Sequence, residues 1–117
     1  MRVLWLSRHE PLPRQRAELA RLFGDVVIEQ DARSFDSAED IAERFRQGGY
    51  DEIVVVAPMS VIARLIDLRL RPLWAEMTQV EVDEAEVTMG RVPRLRHFRF
   101  SRFRRVMALR FDFEDFE

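Results

Sequence analysis

The feature that most constrains the fold is an alternation of short apolar runs with helical patterns over the first 77 residues. The apolar runs cover residues 3–6, 26–28, 53–57 and 73–75, and each has the length of a strand. Strands that alternate with helices favour a mostly parallel sheet with helices on both faces. Right-handed crossovers then make this an α/β domain of the small Rossmann-like kind.

Three helices are predicted between these strands, each bounded by residues that favour helix ends, and residues 30–36 are predicted to form a loop. The first helix covers residues 14–23, and one of its faces holds Arg16, Leu19, Ala20 and Phe23. The second follows a capping box at Ser37 to Asp40, and one of its faces holds Ala38, Ile41, Ala42 and Phe45. The third lies between Pro58 and Pro72, and its apolar residues are Val61, Ile62, Leu65, Ile66 and Leu70.

The last third of the chain has a different pattern, in which apolar and charged residues alternate. The pattern holds around Val80 and Val82, Phe98 and Phe100, and Phe111 and Phe113. Alternation of this kind predicts half-exposed antiparallel strands. We therefore expect one domain over residues 1–117, with a Rossmannoid core at 1–77 and a β-rich extension at 78–117 that contributes to a dimer contact.

Cysteine and lysine are missing from the chain, and their absence excludes several classes of site. The sequence has no cysteine and no lysine, so all 19 basic residues are arginine. This excludes disulfides, cysteine nucleophiles, cysteine zinc sites, Schiff-base lysines and the P-loop lysine. The chain also has no G-x-G-x-x-G fingerprint for a dinucleotide. Arginine, in contrast, suits bidentate contact with phosphate.

Charge and hydropathy indicate where the protein acts. The formal net charge is −2, which does not suit a histone-like DNA-binding polycation, and we expect no DNA partner. The apolar run at residues 3–6 is too short for a signal peptide or a membrane span. We expect a soluble cytoplasmic protein with no membrane partner.

A polar tetrapeptide, Ser7-Arg8-His9-Glu10, follows the first predicted strand. Open parallel sheets bind ligands beyond the carboxyl ends of their strands, where the strand order reverses. We expect this loop to lie beside the loop after the 53–57 strand, which contains Pro58, Met59 and Ser60. Both loops lead into helix N-termini, which favour anions, so the pattern predicts a phosphate site.

Structural roles remain open for the same residues. Ser60 fits a helix N-cap, and Ser7 could satisfy local backbone groups. Arg8 could be solvated, and His9 could be an ordinary loop histidine.

Seven arginines occur between Arg91 and Arg105, interleaved with His97, Phe98, Phe100 and Phe103. Basic and aromatic residues on strands can bind single-stranded RNA. The competing interpretation is charge pairing, because residues 76–86 contain five acids and residues 112–117 contain four. We favour charge pairing.

The C-terminal segment Asp112-Phe113-Glu114-Asp115-Phe116-Glu117 alternates phenylalanine with acids. It fits either an edge strand that pairs with another subunit or a frayed end. No histidine lies nearby, and we expect no metal site. The chain has no G-x-S-x-G motif either, which leaves metal-free phosphodiester chemistry open.

The stretch from Leu6 to Pro13, with Gln15 behind it, resembles small single-domain CARF-like ring nucleases and cyclic oligoadenylate-binding proteins of type III CRISPR systems. The family often has Thr at the turn, where this chain has Pro11 or Pro13. The resemblance implies a homodimer without a cofactor that binds cyclic oligoadenylate, with cyclic tetra-adenylate favoured. It implies cleavage by metal-independent attack of a ribose 2′-OH, which switches off antiviral signalling.

The resemblance also implies roles for individual residues. Arg8 would stabilise the phosphorane charge, His9 would be a general acid or base, and Ser7 would position the phosphate. Three other hypotheses remain: a non-catalytic binder of the same ligand, an RNA-binding module that uses the arginines between Arg91 and Arg105, and a structural subunit without a ligand. The expected ligand-binding residues are Glu10, Gln15, Pro58, Met59 and Ser60.

Overall fold

The fold is α/β, with a five-stranded mixed sheet flanked by helices, as the sequence predicts. The computed structural model describes residues 1–91 and 97–116, and for His97 the backbone alone. Within the described chain, no helix is long and apolar enough to cross a membrane. The elements in order are β1 (Arg2–Leu6), α1 (Pro13–Phe23), β2 (Val27–Asp31), α2 (Ala38–Gln47), β3 (Glu52–Val55), α3 (Met59–Asp67), β4 (Leu73–Val80), α4 (Glu84–Thr88) and β5 (His97–Arg105).

The strand order is β2-β1-β3-β4-β5, and the first four strands are parallel. The chain passes from β1 to β2 on one side and then returns to β3 on the other side of β1. The strand order therefore reverses between β1 and β3, and a crevice is expected beyond their carboxyl ends.

Both faces of the sheet are covered at β1, which explains why its last four residues, 3–6, are all apolar and buried. Leu4 and Leu6 pack toward α2 and α3, while Val3 and Trp5 pack with α1 and β5. Successive side chains of a strand point to opposite faces, so a central strand with two covered faces needs apolar residues at every position.

The predicted inward face of α1 is partly wrong. Leu19 is fully buried, but the second buried position is Gln15, and Arg16 and Ala20 are exposed. Gln15 was missed because apolar periodicity cannot identify a buried amide. The Gln15 Oε1 atom accepts a hydrogen bond of 2.8 Å from the Leu12 N–H, so this amide is satisfied inside the fold.

The two other helices test the predicted caps. The Ser37 hydroxyl accepts a hydrogen bond of 3.2 Å from the Asp40 N–H, which confirms the predicted start of α2. Ser60 is not an N-cap, because α3 already begins at Met59 with Pro58 in the capping position. Proline fixes an extended backbone that can lead into a helix, and it replaces the expected serine at this point.

Two strand boundaries differ from the prediction. β2 runs to Asp31, so residues 30 and 31 belong to a strand instead of the predicted loop. β3 ends at Val55, and the Val56 side chain is 69% exposed, although the run continues to Ala57 in the sequence. Strand pairing ends there because β1, its neighbour, ends opposite Val55.

The β4–β5 hairpin confirms the predicted extension at the sheet edge. β4 and β5 pair antiparallel from Leu73 opposite Arg105 to Val80 opposite His97, with a β-bulge between Glu76 and Met77. β3 pairs with β4 at Leu73 alone, so the outer half of the hairpin extends past the parallel sheet. The expected boundary at residue 77 lies inside β4.

The other strands predicted in the last third do not form. Val82 lies after the end of β4, shortly before the short helix α4. Phe111 and Phe113 lie in a segment without regular secondary structure, although they alternate with acids. Alternation alone does not make a strand, because a strand also needs a partner for its backbone hydrogen bonds.

Candidate functional site

A cavity of about 270 Å³ lies beyond the carboxyl ends of β1, β2 and β3. We call it the polar cavity. Its position is the crevice expected where the strand order reverses. Its lining consists of the last residue of β1 and the three that follow (Leu6, Ser7, Arg8 and His9), the last residue of β2 with three that follow (Asp31, Ala32, Arg33 and Phe35), and Val56 after β3.

Three hydrogen bonds hold the loop after β1 in place. The Trp5 indole N–H donates to the His9 carbonyl at 2.8 Å, and the Gln30 amide donates to the Ser7 carbonyl at 3.0 Å. The Ser7 hydroxyl accepts from the His9 N–H at 3.1 Å, which gives Ser7 the local backbone role that the sequence left open. The backbone is therefore anchored while the Arg8 and His9 side chains are exposed.

An arginine cluster surrounds Asp31, which lines the same cavity. Arg33 forms a bidentate pair with the Asp31 carboxylate, at 3.0 and 2.8 Å, and Arg44 approaches the same carboxylate at 3.5 Å. Hydrogen bonds from Arg33 lower the pKa of Asp31 to about 2, with a further contribution from the charge of Arg44. Asp31 thus stays ionised and fixes the orientation of Arg33.

The balance of charge in the polar cavity is positive. Arg8 and Arg33 face one acid, Asp31, and Arg8 has no ion-pair partner among the described residues. An anion of phosphate size would find an exposed guanidinium, a histidine ring and a hydroxyl on the same wall. The His9 ring makes no hydrogen bond to any described residue, so no neighbouring group orients it.

The structure separates the expected site residues into three groups. Ser7, Arg8 and His9 line the polar cavity. Met59 lines a second cavity, and Gln15 is buried at the start of α1. The remaining three, Glu10, Pro58 and Ser60, are exposed and line neither cavity.

The second cavity, which we call the apolar groove, has a volume of about 480 Å³. It is lined by residues 55–57, Met59, Ile62, residues 72–74 and residues 104–109. Val56 lines both cavities, so they are neighbours along the carboxyl edge of the sheet.

Six lining residues were not among the expected site residues: Leu6, Asp31, Ala32, Arg33, Phe35 and Val56. The signal was available for Asp31 and Arg33, because they lie at the end of β2 and just after it, as Ser7 and Arg8 lie just after β1. The carboxyl ends of neighbouring parallel strands meet at one edge of a sheet, so the residues that follow β1, β2 and β3 are all expected at this edge.

The arginine run on β5 is largely occupied by acids. Arg102 and Arg104 both bind Glu76, at 3.1 and 3.0 Å, and Arg105 binds Glu52 at 2.7 Å. Phe100 and Phe103 are buried in the core, with a ring-centroid separation of 4.8 Å, and are not free to stack on bases. These contacts favour charge pairing over RNA binding for the described part of the run, which excludes Arg94 and Arg96.

A search of the described residues for His, Cys, Asp and Glu side chains finds no group of three that could hold a metal ion. Comparisons of the chain with protein-family models, curated proteins and solved structures find no match.

Proposed function

We propose that the chain binds a cyclic oligoadenylate at the polar cavity and opens the ring without a metal ion. One observation carries the proposal: Ser7, Arg8 and His9 line one cavity where the strand order reverses, and an oriented arginine, Arg33, lines the same cavity. Such a protein would act in the cytoplasm and would end a cyclic-nucleotide signal.

The proposed reaction needs no external nucleophile. A ribose 2′-oxygen forms a bond to the adjacent phosphorus, and the bond from phosphorus to the 5′-oxygen breaks. The 2′-OH proton leaves to a base and a proton is delivered to the 5′-oxygen, which gives a linear product with a 2′,3′-cyclic phosphate. His9 is the candidate for proton transfer, and Arg8 for stabilising the charge on the phosphorane.

The size of the cavity bears on the assembly. A volume of about 270 Å³ accommodates one phosphodiester with part of a nucleoside, but not a ring of four nucleotides. The rest of the ring would have to lie over a second copy of the cavity. A homodimer in which a two-fold axis relates two polar cavities meets this need.

The test is a cleavage and binding assay with radiolabelled cyclic tri-, tetra- and hexa-adenylate. The wild-type protein is expected to convert the tetra-adenylate ring to a linear product in the presence of EDTA. The His9→Ala variant is expected to bind the ring but to cleave it at least about 100-fold more slowly, as for the loss of a general acid or base. Arg99→Ala is the matched control, because Arg99 is exposed on β5 and lies outside the polar cavity.

Two outcomes would refute the assignment. Cleavage by His9→Ala at the wild-type rate would exclude His9 from proton transfer, and no binding of any ring would exclude the ligand class. Binding without a product would instead identify a passive binder, and the unoriented His9 ring is the observation that favours this second function.

A further inference from the structure

The apolar groove and the C-terminal segment have complementary surfaces. We infer that the Phe111–Phe113 region of one copy of this chain docks in the apolar groove of a second copy, and that the exchange is reciprocal. The inference is independent of the proposed function, because it uses neither Arg8 nor His9.

The groove exposes an unusual number of large apolar side chains for a cavity at a protein surface. Val56, Met59, Trp74 and Met107 line it together, and each is at least 45% exposed. Such a contiguous patch is typical of a surface that another protein covers.

The rim of the groove carries positive charge. Arg104 and Arg105 line one side, and Arg105 is already paired with Glu52 at 2.7 Å, which leaves Arg104 as the charge on the rim. Arg104 shares the single carboxylate of Glu76 with Arg102, so two guanidinium groups are balanced by one acid. The guanidinium of Arg104 has further N–H donors that the single bond to Glu76 does not use.

The C-terminal segment presents the opposite chemistry. Phe111 is 60% and Phe113 84% exposed, which is high for phenylalanine. Their rings stack with centroids 6.3 Å apart, so both lie on one side of the chain. Asp112 and Glu114 add negative charge beside the two rings. Asp112 lies 3.8 Å from the Arg110 guanidinium, which leaves Glu114 as the acid without an ion pair among the described residues.

The occupant is a second copy because the chain is poorly placed to fold its own segment back into the groove. Residues 104–109 form one wall, and Leu109 packs against the core. A return into the groove would need a tight reversal within the next few residues. Residues 94–117 contain neither glycine nor proline, the residues that most favour such turns.

The first experiment measures self-association by sedimentation velocity over a range of protein concentrations. The wild-type chain is expected to dimerise, and two variants are expected to weaken the dimer about thirtyfold or more, as for loss of an interface hot spot. One is the double substitution Phe111→Ser with Phe113→Ser. The other is Met59→Glu, which places an acid in the groove at an exposed first position of α3 that tolerates negative charge.

A matched control and a mixing experiment identify the contact. Phe98→Ser removes another exposed phenylalanine, 54% exposed on β5 and outside the groove, and should leave the dimer intact. The Met59→Glu chain retains its own segment and the double variant retains its groove. Mixing the two should therefore restore one of the two contacts and give a detectable heterodimer.

A second experiment uses the peptide Ala-Leu-Arg-Phe-Asp-Phe-Glu-Asp-Phe-Glu, which has the sequence of residues 108–117. It should dissociate the dimer and change the fluorescence of Trp74, and the change should be absent in Trp74→Phe. A peptide with serine at the first two phenylalanine positions is the control. A wild-type chain that stays monomeric and ignores the peptide, or a dimer that survives both variants, would overturn the inference.

Discussion

The polar cavity and the apolar groove are neighbours on the same edge of the sheet, yet their chemistry is opposite. The polar cavity is built from the loops after three parallel strands, where the backbone leaves the sheet and the side chains are free to be polar. The apolar groove is built from the end of β3, the starts of α3 and β4, and the end of β5 with the segment that follows it. The difference shows how one antiparallel strand, β5, changes the chemistry at the carboxyl edge of an otherwise parallel sheet.

The antiparallel direction of β5 is the physical cause of that difference. The chain leaves β5 at Arg105, opposite the first residue of β4, and then crosses toward α3. There Val106 and Leu109 pack against the core and become one wall of the groove. A parallel strand beside β4 would end next to the last residues of β4. The chain that follows it would then not cover the carboxyl end of β3 and the start of β4.

The largest expected effect separates the two cavities by function. Arg8→Ala should reduce ring cleavage about 100- to 1,000-fold, as for removal of one donor to a developing oxyanion. Binding of the peptide to the apolar groove should be unchanged, because Arg8 lines the other cavity alone. Parallel measurement of cleavage and of Trp74 fluorescence checks this. An equal loss of ring cleavage and of peptide binding would mean that the two cavities act as one site.

The next effect tests whether Asp31 has a structural role. The pKa of Asp31, about 2, lies below that of an aspartate in an unfolded chain. The ion pair therefore stabilises the fold above about pH 4, and this stabilisation is lost as the pH falls toward 2. Asp31→Asn should lower the free energy of unfolding by about 1 kcal/mol at neutral pH, since the partner Arg33 is solvent-screened. Urea unfolding at neutral pH and near pH 3 measures both values.

The matched control for that experiment is Asp36→Asn, which changes an exposed acid in the loop that follows β2. It should leave the stability nearly unchanged at either pH. A difference between Asp31→Asn and wild type that stays constant down to the acid limit would contradict the ion-pair explanation.

A smaller effect concerns the residue that the two cavities share. Val56→Ala removes two methyl groups from both linings, and each ligand should bind about threefold more weakly. Titrations with the ring and with the peptide measure the two affinities. The control is Val27→Ala, an exposed valine on the edge strand β2. A change in one affinity alone would show that one of the ligands avoids Val56.

The smallest effect is expected on the hairpin. Glu76→Gln removes the carboxylate that Arg102 and Arg104 share, and exposed ion pairs contribute little to stability. The Tm should fall by no more than a few degrees, and the difference should shrink in about 1 M salt. Thermal melts at low and high salt check this, and a salt-independent loss would point to packing instead of charge.

Much of the fold could be predicted because its signals are local. The apolar runs of β1 and β3 and the Ser37 cap each depend on a few neighbouring residues. The same reasoning failed at Phe111 and Phe113, whose alternation is as regular as that of Phe98 and Phe100. Only the second pair faces a partner strand, β4.

The candidate site was predictable in part for the same reason. Ser7, Arg8 and His9 could be placed from the strand that precedes them, because a strand end is a local feature. Arg33 enters the cavity only because β2 pairs beside β1. Met59 belongs to the first turn of α3 because the helix begins two residues earlier than a Ser60 cap would require.

The sequence by itself determined the alternating α/β elements, the arginine-only chemistry and a polar loop after the first strand, because periodicity, composition and turn residues act over short distances. The tertiary structure alone decided that Arg33 joins that loop, that Glu76 neutralises part of the arginine run, and that an apolar groove lies beside the polar cavity. These depend on strand order and strand direction, which are set by long-range pairing and burial and leave no local mark on the chain.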